Sequence, residues 1–104
     1  MTMQDTERYL QSRYGFKNVD CTYDNGSYVY SITLNSVQAS QFYSVCKSQK
    51  DMDNLIIKAE MNEQLNHGPS FDNTVGSASN NIIVITGLLP VIDRFLSYIF
   101  KIVG

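Results

Sequence analysis

Histidine occurs once in this chain, at position 67, and cysteine only twice, at positions 21 and 46. One imidazole and two thiols 25 positions apart offer no metal-ligand spacing and no C-x-x-C redox motif, so no metal and no cofactor are expected. His67 lies near Ser70 and Asp72, which superficially suggests a hydrolase. Neighbours within one polar stretch do not make a catalytic triad, however, and there is no G-x-S-x-G nucleophile elbow. Gly68, Gly76 and Gly87 fit neither a phosphate-binding loop nor a dinucleotide fingerprint.

Charge is also sparse, at 17% of residues, and it is unevenly placed. Residues 51–80 carry Asp51, Asp53, Glu60, Glu63 and Asp72 against Lys58 alone. The segments on either side hold no basic stripe, so nucleic acid is not expected as a partner. The opening MTMQDTERYL has no basic stretch followed by an apolar core, hence no visible signal peptide. A cytoplasmic location with reduced, buried thiols is the expectation, and Asn25-Gly26-Ser27 reads as a turn rather than a glycosylation site. Small and GC-coded residues are few as well, a composition that AT-rich coding DNA would give.

What the chain does have is apolar surface, concentrated in its last quarter, NNIIVITGLLPVIDRFLSYIFKIVG. Ile82 to Thr86 is a β-branched run read as a strand buried on both faces. After Gly87, the residues Leu88, Leu89, Val91, Ile92, Phe95, Leu96, Ile99, Ile102 and Val103 follow helical spacing, with Pro90 tolerated in the first turn. Asp93, Arg94, Ser97 and Lys101 fall on one narrow strip, leaving an apolar arc of about 200°. Three readings account for that excess: burial within the domain, self-association through Tyr98 and Phe100 on the flanks of the stripe, or a membrane tail. The run is long enough to span a bilayer, but Gly87, Pro90, Asp93 and Arg94 interrupt it. Each central charge costs about 2.5–3.5 kcal/mol, so membrane insertion is disfavoured.

The remaining segments read in order as follows. Thr2 to Tyr14 is a helix with a capping-box-like Thr2 and Asp5 and a terminating Gly15; Met3, Leu10 and Tyr14 share its inner face. In VDCTYDNGSYVYSITL, Asn25-Gly26 specifies a two-residue type I′ turn. That turn sets Tyr23 opposite Tyr28, Cys21 opposite Tyr30 and Val19 opposite Ile32, all on one face. Tyr23 and Tyr28 are expected as a cross-strand pair packed under a helix, with an exposed interface patch as the alternative. Asn35 or Ser36 caps a second helix running to about Lys50, with Ala39, Phe42, Tyr43 and Cys46 inside.

Leu55, Ile57, Ala59 and Met61 alternate with polar residues, which predicts a strand at 55–61; a second helix is the fallback, because KAEMNEQL favours helix. The helical stripe of residues 39–46 is out of phase with Met52, Leu55, Ile56 and Ala59, which disfavours one continuous helix. Residues 63–80 form a long polar loop with one aromatic, Phe71, as a candidate contact.

At 104 residues the chain reads as a single α+β domain spanning 1–104: an antiparallel sheet of three to four strands packed against helices, in the order α-β-β-α-β-β-α, or α-β-β-α-α-β-α in the fallback. The functional expectation is a non-catalytic protein-binding or accessory protein, homo-oligomeric through its C-terminal helix. Tyr98, Phe100, Phe71, Tyr23 and Tyr28 are the candidate interface residues. The alternatives are a small ligand-binding or hydrolytic enzyme with a pocket between sheet and helices, using His67 and the cysteines, and a tail-anchored peripheral membrane protein.

Overall fold

A computed structural model describes residues 2–63, 76–77 and 81–104. Helix α1 (Met3–Tyr14) begins at a complete capping box. The Thr2 hydroxyl accepts from the Asp5 amide at 3.1 Å, and the Asp5 carboxylate accepts from the Thr2 amide at 3.1 Å, so two otherwise unpaired donors are satisfied. The helix stops at Gly15, whose φ of +70° lets its N–H return to the Gln11 carbonyl at 2.8 Å. Of the expected inner face, Leu10 and Tyr14 are buried, whereas Met3 at the free end is exposed.

Strands β1 (Asn18–Asp24) and β2 (Ser27–Thr33) form the hairpin in the register the turn demands. Asn25 and Gly26 both have positive φ, 50° and 80°, as a type I′ turn requires. Val19, Cys21, Tyr30 and Ile32 consequently point into the core together.

Helix α2 (Ser36–Val45) starts from Asn35, and it too has a capping box. Asn35 Oδ1 accepts from the Gln38 amide at 2.8 Å while Gln38 Oε1 accepts from the Asn35 amide at 3.1 Å. Gln38 is buried, and its Nε2 donates to the Tyr14 carbonyl at 2.8 Å, tying the start of α2 to the end of α1. The helix ends at Cys46, short of the expected Lys50. A new helix, α3 (Gln49–Asn62), is then capped by Ser48, whose hydroxyl accepts from the Asp51 amide at 3.2 Å.

The strand expected at 55–61 does not form: those residues lie within α3, and the helical fallback is the correct one. Met52, Ile56 and Ala59 are buried at helical spacing, whereas the alternating pattern would have buried Ile57 and Met61, which are 54% and 73% exposed. The phase difference between the two apolar stripes is absorbed by the break at residues 46–48. Packing decided the matter over alternation.

Strand β4 (Ile82–Thr86) pairs antiparallel with β2, aligning Ile83 with Ile32 and Ile85 with Tyr30. The two-residue strand β3 (Gly76–Ser77) lies on its other side, which completes the sheet order β1-β2-β4-β3. Ile83 and Ile85 are fully buried but Ile82 and Val84 only half so. Burial on both faces was expected of this strand, and the outer face is only partly covered.

Helix α4 (Leu89–Ser97) closes the core, with Val91, Ile92, Phe95 and Leu96 completely buried. It is shorter than the apolar spacing implied. Tight turns follow, in which the amides of Tyr98, Ile99 and Phe100 donate to carbonyls of Phe95 and Leu96. These turns swing Phe100 inward, and the last four residues run back extended over the end of α1, where the Val103 amide donates to the Arg13 carbonyl at 2.7 Å. The centre of the apolar arc is therefore covered by the chain itself, while Leu88, Ile102 and Val103 stay exposed. Among the described residues no helix is long and apolar enough to cross a membrane.

Candidate functional site

The residues expected at an interface do not share one surface. Phe100 is a correction: it is 3% exposed and packs edge-on against Phe16 with ring centroids 5.2 Å apart, so it belongs to the core. Tyr98 is half-buried; its hydroxyl pairs with the Asn62 side-chain amide, and Lys58 Nζ sits 4.7 Å from its ring centroid. It joins α4 to α3. Phe71, together with His67, Ser70 and Asp72, lies outside the described residues.

Tyr23 and Tyr28 are a correction in the other direction. Their expected place under a helix is not realised: they are 59% and 40% exposed, at the tip of the hairpin. The rings meet edge to face, with centroids 5.0 Å apart and planes at 68°. The pairing register places them on the inward face, but the helices do not extend over that end of the sheet. Leu88, 41% exposed, follows Gly87, whose amide donates to the Tyr28 carbonyl at 3.0 Å, so a third apolar side chain joins the same end. Aromatic side chains of this size, preorganised by mutual stacking, are typical anchors of protein interfaces.

No protein family, curated protein or solved structure matches this chain.

The neighbouring edge of the sheet is occupied at its middle. In a two-residue hairpin with this register, Val19, Cys21 and Tyr23 turn their backbone groups away from β2. The Glu7 carboxylate accepts from the Cys21 amide at 2.7 Å, blocking the middle of that row. A charged side chain on an edge is a recognised barrier to edge-to-edge pairing.

A second polar centre was not legible in the sequence. Asp93 on α4 accepts from the Tyr9 hydroxyl at 2.7 Å and from Arg13 Nε at 3.1 Å, and it also accepts from the Tyr14 hydroxyl. Burial, then the hydrogen bond to Asp93, pushes the Tyr14 phenol well above its ordinary range. The guanidinium of Arg13 lies 5.7 Å from the ring centroids of both Tyr9 and Tyr14. Tyr9, Arg13 and Tyr14 do recur at helical spacing, but their common partner lies about 80 positions away. No local pattern reports it.

The thiols are poorly placed for chemistry. Both Cys21 and Cys46 are buried and unpaired. Burial, aided by nearby Asp51, pushes the Cys46 thiol up to about 11; burial and Glu7 raise that of Cys21. A thiol held neutral is a weak nucleophile. Among the described residues no group of three or more His, Cys, Asp or Glu side chains could hold a metal ion.

The sign of the pH effect follows. A thiol favoured in its neutral form contributes stability below its ordinary value near 9, and that contribution is lost as pH rises towards 11. Two outcomes are expected: negligible modification by a thiol-specific reagent at pH 8 in the native state, and alkaline destabilisation between pH 9 and 11 that is smaller in Cys46→Ala. Rapid native-state labelling at pH 8 would contradict the burial.

Proposed function

We propose that this protein acts by binding another protein, without catalysis, and that the contact is made by the hairpin end. The observation that carries this reading is the stacked, exposed pair Tyr23 and Tyr28 beside exposed Leu88. Among the described residues these are the two most exposed aromatic side chains, and stacked aromatics left in water point to a partner. The raised thiols count against a cysteine nucleophile, and the Glu7 carboxylate on the Cys21 amide disfavours strand addition along β1, which favours recognition by side chains.

Self-association through α4 loses its motive, because that helix is already covered. If two copies associate, the hairpin end is the surface proposed for it. Tyr23→Ser/Tyr28→Ser is the variant to compare with the intact chain, by light scattering over a concentration series and by affinity capture of partners. Loss of binding by at least about 30-fold is expected, since each anchor of this type contributes on the order of 2 kcal/mol. The fold should survive, because both rings are exposed. A partner, or a dimer, retained undiminished by the folded double variant would refute the reading.

A further inference from the structure

A cleft of about 640 Å³ lies among α1, α4 and the end of α3. It is bordered by the charged residues Arg13, Arg94, Asp93 and Glu63 and by the apolar surfaces of Leu89, Pro90 and Ile102. Its volume falls within the range of small-molecule sites.

Both arginines are held in one particular way. Arg13 Nε donates to Asp93 at 3.1 Å and Arg94 Nε donates to Glu63 at 2.9 Å. Among the described residues, neither guanidinium uses its terminal Nη groups in a hydrogen bond. Each carboxylate therefore anchors its guanidinium through Nε rather than through the terminal nitrogens. Arg13 is further constrained by the flanking rings of Tyr9 and Tyr14. Arg13, paired with Asp93 and flanked by two rings, has lost much of its rotamer freedom already, so an acceptor meets donors that need little further ordering.

We propose that this cleft binds a small carboxylic acid with an apolar body. The planar carboxylate matches a guanidinium donor edge in shape and spacing. The charges around the cleft balance, two cationic against two anionic, so a single negative charge is accommodated with less field penalty than the double charge of a phosphate ester. Leu89, Pro90 and Ile102 supply the wall for the apolar body. The site is separate from the hairpin end and does not depend on it.

Phenylacetate is the probe, compared with neutral phenylacetamide and with inorganic phosphate, by NMR of the full chain following the arginine Nε–H signals and the Ile102 methyl. Saturable shifts at both arginines and at Ile102 are expected with phenylacetate at about 10 mM or below, with phenylacetamide and phosphate at least tenfold weaker. Arg94→Gln should weaken phenylacetate at least tenfold while its unfolding transition stays near that of the parent, since the Arg94 side chain is 47% exposed. Equal binding of the acid and the amide, equal or tighter binding of phosphate, no shift at that concentration, or an Arg94→Gln variant that binds as the parent does would each overturn the proposal.

Discussion

Replacing Phe100 with alanine is expected to destabilise the fold by about 3–5 kcal/mol, as removal of a buried phenyl ring from a close-packed core does. The ring is 3% exposed, and it meets Phe16 edge-on while Phe16 in turn stacks on Tyr14 at 5.3 Å. This chain of three rings joins the last turn of α1, the approach to β1 and the chain after α4. Deleting one member leaves a void that its neighbours cannot collapse into without moving backbone. Equilibrium unfolding in urea would show a lower midpoint with a similar slope. A Phe100→Ala variant as stable as the parent would mean that this ring is not in the core, and the interface role suggested by its place on the helix flank would return.

Asp93→Ala is the second large effect expected, about 2–3 kcal/mol, or a fall of roughly 10–20 °C in Tm for a domain of this size. The cost arises because several donors lose one acceptor. The Tyr9 hydroxyl and the Arg13 guanidinium are left without their carboxylate, while the Tyr14 hydroxyl keeps only the Asp93 carbonyl at 2.8 Å. Arg94→Gln, one residue along the same helix, should shift Tm little, because its pair with Glu63 is at the surface. Calorimetry of the two variants side by side distinguishes a structural hub from a solvated ion pair. Similar, small shifts for both would show that Asp93 is no hub.

Both effects concern residues whose roles local reading could not assign. Phe100 sits on the flank of an ideal helical stripe, and an ideal helix would expose it. The helix actually ends at Ser97, and the tighter turns after it rotate the side chain into the core. Helix ends without a strong stop signal are set by what the next residues can pack against, and α4 has no glycine or proline after Ser97 until the terminal Gly104. Asp93 reads in sequence as one polar residue on a narrow strip. It gathers partners only because α1 is laid beside α4.

The same division appears at residues 55–61, where alternation and helical spacing both fit a short mixed segment. The decision lay with Met52, Ile56 and Ala59, which share a helical face that the rest of the core covers. It appears again at the hairpin. The register of Tyr23 and Tyr28 followed from Asn25-Gly26, but their exposure depended on how far the helices reach along the sheet.

What the sequence by itself determined were the features governed by backbone conformation over a few residues. These were the capping box at Thr2 and Asp5, the stop at Gly15, and the positive-φ turn at Asn25-Gly26 with its register. Each is set by short-range sterics and hydrogen bonds that the local residues carry with them. Tertiary structure alone decided which apolar surface stays in water, where α4 ends, and which charges meet across the molecule. Those outcomes depend on contacts between segments far apart in the chain, where burial and pairing energies outweigh local preference.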